Sequence, residues 1–222
     1  MKIDRTLFWF KDENNMLTFL NEDFFGLSNL LNRLLNEKYD GKKIKFINIF
    51  FSTKKIYESN VYYYGGHLHY RAVFDKDKFI NLSKSEQYKF VWEKAHKYLL
   101  ESANFIKNSS LAEAADYAYS KGLEMNLNPD YRVVDTDIII FGEHLRASVW
   151  INFKEDGMSS EFTLERSGNV IFKKELDKTV KGVEFFLVMY KAIVVEGNNI
   201  VIKGRRDVED LPLKIPFSEI FG

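Results

Sequence analysis

The sequence predicts an α+β fold in which an N-terminal βαββ portion and a C-terminal antiparallel β-meander are joined by two central helices. Three observations lead to this prediction. A long helix with a clear N-terminal cap occupies Ser83–Lys107, the apolar period becomes two after Tyr131, and helices and strands are grouped in separate parts of the chain. We expect residues 1–222 to form a single α+β domain, with sub-portions 1–80, 83–122 and 131–222.

The N-terminal portion alternates short apolar runs with one leucine-rich helix. Asn21 or Asp23 can cap this helix, which we expect to end before Asp40-Gly41. Runs rich in β-branched and aromatic residues favour strands. The predicted strands are Leu7–Phe10, Met16–Leu20 and Ile44–Phe51.

The segment Val61–Phe74 is the chemically most unusual part of the chain. In an unbroken strand, alternation places four aromatic or basic side chains on one face: Tyr63, His67, His69 and Arg71. The pair Gly65-Gly66 leaves two other structures open, a two-residue hairpin turn or a bulge that exchanges the faces. His67 and His69 share a face in either case, because they are two residues apart in one strand.

The first central helix, Ser83–Lys107, has the clearest signals in the sequence. Ser83 and Glu86 form a capping box, in which each side chain accepts a hydrogen bond from a backbone N–H at the helix start. Apolar residues recur every three or four positions and form one broad face that includes Trp92. We therefore predict one continuous helix that lies on a sheet and buries Trp92.

A second helix is predicted over Ser110–Lys121. Ser110 and Glu113 have the spacing of another capping box, and the small face of this helix permits close approach of a neighbour. Gly122 follows the last periodic residue, so we expect it to end the helix.

From Tyr131 onwards, the pattern predicts an antiparallel meander with glycine-containing turns at Gly142-Glu143, Asp156-Gly157 and Gly168-Asn169. The predicted strands are Tyr131–Phe141, His144–Lys154, Met158–Glu165 and Val170–Glu175. Val183–Val195 fits both periods, and we interpret it as a helix. A strand at Ile200–Lys203 and an irregular C-terminal strap complete the prediction.

The composition excludes several functional classes. The 32 basic and 32 acidic residues give a net charge of +0, so the basic excess of a duplex-binding protein is absent and we expect no nucleic-acid partner. There are 0 cysteines, which excludes disulfides, a thiolate nucleophile and cysteine metal ligands. The N-terminal apolar run is shorter than the core of a signal peptide, and no stretch has the length of a membrane span. We expect a cytoplasmic protein without a membrane partner.

Two sets of residues suggest metal-dependent chemistry. His67 and His69 form a pair typical of zinc and iron sites, to which Glu93 and His96 of the long helix could add ligands. Asp135 and Asp137 share a strand face and could hold Mg²⁺. Neither set is accompanied by a phosphate-binding loop or a nucleophile motif. A metal-dependent hydrolase or nucleotide-processing enzyme is therefore the alternative hypothesis, and we expect no cofactor.

The hypothesis that we favour is a non-enzymatic protein that binds another protein, such as a bacterial immunity or antitoxin-type inhibitor of a toxin or effector. It depends on the missing catalytic motifs and on the 16% aromatic content, because aromatic residues are enriched at interfaces. The first candidate contact face contains Tyr63, His67, His69 and Arg71. The second contains Arg146 and Trp150, which alternate away from the inward residues of their strand.

Overall fold

A computed structural model of the chain describes residues 2–55 and 58–222. The predicted α+β class is confirmed. The chain divides into two compact units, Met1–Pro129 and Asp130–Gly222. The single domain remains a prediction.

The N-terminal unit contains a five-stranded mixed sheet. Its strands are β1 (Arg5–Asp12), β2 (Asn15–Met16), β3 (Phe46–Ser52), β4 (Val61–Tyr64) and β5 (His67–Val73). They are arranged in the order β2-β1-β3-β5-β4. The three central strands β1, β3 and β5 are parallel, and the two short edge strands are antiparallel to their neighbours. The carboxyl ends of the central strands therefore meet at one edge of the sheet.

The five helices that the structure describes in this unit pack on one face of the sheet. They are α1 (Thr18–Asp23), α2 (Phe25–Lys38), α3 (Lys76–Ile80), α4 (Lys84–Phe105) and α5 (Ser109–Glu124). Buried residues from all of them join the alternate strand residues Ile47, Ile49 and Phe51 in one continuous core. The opposite sheet face carries the other half of each strand, because successive side chains point to opposite sides.

The expected strand Met16–Leu20 is wrong beyond its first residue. Strand β2 ends at Met16, and α1 begins at Thr18. The side chain of Asn21 accepts a hydrogen bond from the backbone N–H of Phe10 (2.7 Å), and Leu17 donates to the carbonyl of Phe10 (2.9 Å). These contacts to β1 satisfy backbone groups that a continued strand would have used for pairing.

The long central helix has the predicted form. Ser83 caps α4, and both hydrogen bonds of the capping box with Glu86 are present. Trp92 is 1% exposed and its indole N–H donates to the carbonyl of Tyr119 (3.1 Å). The prediction of one continuous helix that buries Trp92 is confirmed.

The predicted cap of the second helix is wrong. Asn108 caps α5, since its side chain accepts from the backbone N–H of Leu111 (3.1 Å). The hydroxyl of Ser110 instead donates to Asp40 (2.5 Å). Gly122 lies inside α5 rather than at its end, because the helix continues to Glu124.

The C-terminal unit contains two antiparallel sheets. The four-stranded sheet has the sequential order β6 (Tyr131–Ile140), β7 (Glu143–Phe153), β8 (Met158–Arg166) and β9 (Asn169–Thr179). The three-stranded sheet contains β10 (Tyr190–Glu196), β11 (Asn199–Gly204) and β12 (Leu213–Pro216). A short helix α6 (Phe217–Phe221) follows. The predicted meander is confirmed, and two of its turns lie one residue earlier than expected.

The helix predicted for Val183–Val195 is wrong in its second half. A 3₁₀ helix occupies Glu184–Val188, and the remainder enters strand β10. Residues of β10 pair with β11 across Gly197, which has the positive φ of 57° that a tight turn requires. The tail is also more regular than expected, because Leu213–Pro216 adds a strand to this sheet.

Candidate functional site

The sheet face that points away from the helices is the candidate site, and we call it the open face. It has three rows in which neighbouring strands contribute paired residues. The rows are Arg5, Phe46, His67 and Tyr64; Leu7, Asn48, His69 and Tyr62; and Trp9, Phe50 and Arg71. Lys11, Ser52 and Val73 follow at the carboxyl end.

The structure changes which tyrosines belong to this face. Gly65 and Gly66 both have positive φ (58° and 86°) and form the turn of a hairpin between β4 and β5. The register then pairs Tyr62 with His69, and Tyr63 with the buried Leu68. The predicted grouping of Tyr63 with His67, His69 and Arg71 is therefore wrong. Tyr63 instead packs against the core and donates to the carbonyl of Lys43 (2.8 Å).

Aromatic rings cover the middle of the open face. The rings of Trp9 and Phe50 are stacked with centroids 6.4 Å apart, and the indole N–H of Trp9 donates to the side chain of Asn48 (2.8 Å). His67 stacks on Phe46 at 4.6 Å. At the edge strand, Tyr62 is 47% exposed and Tyr64 is 74% exposed. The rings are held in fixed positions but remain open to a ligand or partner.

Cations lie beside these rings. Arg5 is 5.7 Å from the centroid of Phe46, Lys11 is 5.2 Å from that of Phe50, and Arg71 is 5.6 Å from that of Tyr62. Among the strand residues of the open face, all of which the structure describes, none is Asp or Glu. The face is therefore basic although the whole chain has a net charge of +0.

A pocket of about 330 Å³ lies where the parallel strands end, and we call it the strand-end pocket. Phe50, His69 and Arg71 connect it to the open face. Its other lining residues are Lys11, Glu13, Asn14, Ser52, Lys54, Lys55, Asn60, Ala72 and Val73. Ligands of open α/β sheets bind at this end of the strands. The pocket therefore borders the open face at the strand ends where such folds bind ligands.

His69 lies between the open face and the pocket. Burial lowers the pKa of its imidazole, and the charges of Arg71 and His67 lower it further. The ring is therefore neutral at neutral pH and offers one N–H donor and one nitrogen acceptor.

The residues proposed as metal ligands do not come together. His67 and His69 lie on the open face, whereas α4, which carries Glu93 and His96, packs on the other side of the sheet. His96 is 2.7 Å from the carboxylate of Asp116 and stacks on Tyr119. Within residues 2–55 and 58–222, no group of three or more His, Asp or Glu side chains could hold a metal ion.

The second candidate contact face is a network of ion pairs and hydrogen bonds on the C-terminal sheet. Arg146 forms two hydrogen bonds with Asp135, which also accepts one from Ser148 (2.9 Å). Arg132 contacts the ring of Trp150 (4.7 Å to the centroid) and pairs with Glu165 (2.7 Å). Arg146 and Asp135 thus pair within the sheet, whereas the buried Nε of Arg132 has no hydrogen-bond partner among the described residues.

The same network accounts for the proposed aspartate pair. Hydrogen bonding from Arg146 holds the pKa of Asp135 below its usual value of 3.8. Its carboxylate is thus committed to a guanidinium and a hydroxyl. Asp137 is on the same face of β6, opposite Arg146 in the register.

Sequence reasoning missed Trp9, Phe50 and the pocket lysines. The run Leu7–Phe10 is apolar at every position, so alternation could not show which of its rings point away from the core. Lys54 and Lys55 follow strand β3 in the sequence. Only the knowledge that β1, β3 and β5 are parallel neighbours would have predicted that these lysines lie near Lys11.

No known protein family, curated protein sequence or solved structure matches the chain. In the described residues, every helix is too short or too polar to cross a lipid bilayer.

Proposed function

We propose that this chain is a non-enzymatic cytoplasmic protein that binds another protein through the open face. The observation that carries the proposal is the combination of five Trp, Phe or Tyr rings and three cations, with no carboxylate among the strand residues that point to that face. Interface cores are enriched in Tyr, Trp, Phe and Arg and depleted of Asp, Glu and Lys. If the partner is a toxin or effector, the protein is an inhibitor of the immunity or antitoxin type, which is the class predicted from the sequence.

The charge of the face specifies the chemistry of the partner. Carboxylates on the partner would complement the positive charges of Arg5, Lys11 and Arg71, and apolar side chains would complement the rings beside them. The partner therefore presents an acidic surface with an apolar centre.

Affinity capture from a lysate of the source cell tests the proposal. We compare the wild type with the double variant Tyr62→Ser, Tyr64→Ser, in which both substituted rings are exposed. The matched control is Phe19→Ser, Phe105→Ser, which removes two exposed rings (53% and 60%) from the helices of the same unit. We expect a captured protein that is lost from the Tyr62, Tyr64 variant and retained by the control.

Two results would contradict the proposal. One is a set of captured proteins that is the same for both variants and the wild type. The other is nuclease-sensitive capture, which would identify single-stranded nucleic acid as the ligand of the aromatic face, because stacked rings and cations also bind bases and phosphates.

A further inference from the structure

The strand-end pocket has a charge distribution that the protein-binding proposal does not require. Four basic side chains line it, Lys11, Lys54, Lys55 and Arg71, and one carboxylate, Glu13. Within residues 2–55 and 58–222, no carboxylate lies at salt-bridge distance from Lys54 or Lys55. Like charges that converge on one recess repel each other unless an anion lies between them.

Asp12, the last residue of β1, does not offset this charge. Asp12 forms an ion pair with Lys76 and accepts a hydrogen bond from Thr53 (2.9 Å). These hydrogen bonds hold the pKa of Asp12 below its usual value of 3.8, so its negative charge is already balanced by Lys76. The lining therefore contains four basic side chains and one carboxylate.

The rest of the lining suits an anion attached to an organic group. Asn14, Asn60 and Ser52 add hydrogen-bonding groups to the cations, and Phe50 and His69 form an aromatic wall. A phosphate has several oxygens that can each accept charge-assisted hydrogen bonds from different cations. The volume of about 330 Å³ is at the lower end of the range for small-molecule sites.

We propose that the strand-end pocket binds a small-molecule phosphate ester. Lys54, Lys55 and Arg71 hold the phosphate, and the organic portion lies against Phe50 and His69. The pocket lies at the carboxyl ends of β1, β3 and β5, which is the end at which other open α/β sheets bind their ligands. This agreement supports the proposal by analogy. This inference needs no protein partner, and the two lysines that test it, Lys54 and Lys55, lie outside the open face although Phe50, His69 and Arg71 belong to both.

Calorimetric titration at low ionic strength tests it with three probes: adenosine monophosphate, a hexose phosphate and inorganic phosphate. The decisive variant is Lys54→Gln, Lys55→Gln. Its matched control is Lys42→Gln, Lys43→Gln, which removes the same charge from a neighbouring pair of exposed lysines at the amino end of β3. All four lysines are exposed, so both variants should fold, which circular dichroism checks.

We expect at least one of the two esters to bind more tightly than inorganic phosphate. The Lys54→Gln, Lys55→Gln variant should bind that ester about tenfold or more weakly than the wild type does. The affinity of the control variant should stay within about twofold of the wild-type value. The proposal is overturned if neither ester binds, if inorganic phosphate binds as tightly as the esters, or if both variants lose the same affinity. A single-stranded oligonucleotide that binds more tightly than the monophosphate also overturns it, in favour of a nucleic-acid site.

Failure of this test leaves the protein interface untouched, since Lys54 and Lys55 lie beyond the strands of the open face. Loss of the captured partner in the Tyr62, Tyr64 variant likewise says nothing of the pocket, because neither tyrosine lines it.

Discussion

Gly122 lies directly against the indole of Trp92. A Cβ atom built at residue 122 would be 2.2 Å from Cζ2 of Trp92, which is closer than any real contact. The glycine thus lets α5 approach α4 and fixes the position of the largest buried side chain in the N-terminal unit. The glycine serves helix packing, and it was wrongly interpreted as a terminator.

The first prediction concerns Gly122→Ala. Helix propensity alone would stabilise the protein by about 1 kcal/mol. The clash with Trp92 outweighs this gain, so we expect a net loss of about 1–3 kcal/mol in the free energy of unfolding. Urea denaturation measures it, with Ser120→Ala at an exposed position of the same helix as the control. A more stable Gly122→Ala protein would contradict the account.

The second prediction is that the two positions are coupled. Trp92→Ala alone should destabilise the protein by about 3–5 kcal/mol, because it leaves a large cavity. In that background the added methyl group of Gly122→Ala no longer meets the indole and should be neutral or stabilising. A double-mutant cycle measures the coupling, which we expect to be at least about 1 kcal/mol. If the effects of the two substitutions on the free energy of unfolding are additive, contact with Trp92 is not the reason that a larger side chain at residue 122 is destabilising.

The third prediction concerns alkaline stability. Burial raises the pKa of Tyr190 from 10.0 to about 12, and its hydroxyl lies 2.6 Å from that of Ser160. As pH rises above 10.0, the unfolded chain loses this proton first, so Tyr190 contributes stability below that pH and loses it progressively towards 12. Wild type should lose about 1.4 kcal/mol per pH unit relative to Tyr190→Phe in this window.

Denaturation of both proteins at several pH values between about 8 and about 11 checks this change. The difference in the free energy of unfolding between the two proteins removes the contribution of the lysines, because they titrate in both. A constant difference across the range would show that Tyr190 ionises normally in the folded protein.

The fourth prediction concerns the network on the C-terminal sheet. Asp135→Asn should lower the free energy of unfolding at neutral pH, because it leaves Arg146 without its anionic partner. The pKa of Asp135 is depressed, so its contribution is present above 3.8 and is lost as pH falls through the folded value. The difference from wild type should therefore shrink in acid. Asp137→Asn, on the same strand face, is the control and should have the smaller effect at neutral pH, because Arg146 forms its two hydrogen bonds with Asp135.

The helix α4 could be predicted because all of its signals are local. Its cap, its period and its buried Trp92 agree with each other, and no distant contact is needed to read them. The faces to which Tyr62, Tyr63 and Tyr64 point could not be predicted from local signals. If Gly65-Gly66 is a turn, Tyr62 shares a face with His69; in an unbroken strand, Tyr63 does. Alternation within one strand does not distinguish these two cases.

The strand-end pocket was out of reach for a different reason. Lys11, Lys54 and Arg71 are far apart in sequence, and each resembles an ordinary surface cation. They converge because β1, β3 and β5 are parallel neighbours whose carboxyl ends meet. Neighbouring strands and their direction follow from long-range pairing, which periodicity does not reveal.

The most direct test of the central claim compares two arginines. Arg71 lies on the open face, and Arg146 lies in the network of the C-terminal sheet. With the captured partner purified, its affinity is measured for wild type, Arg71→Ala and Arg146→Ala. We expect Arg71→Ala to weaken binding by about 2 kcal/mol or more, which is about thirtyfold, and Arg146→Ala to stay within about twofold. An unchanged affinity for Arg71→Ala, together with a large loss for Arg146→Ala, would contradict the claim that the open face is the interface.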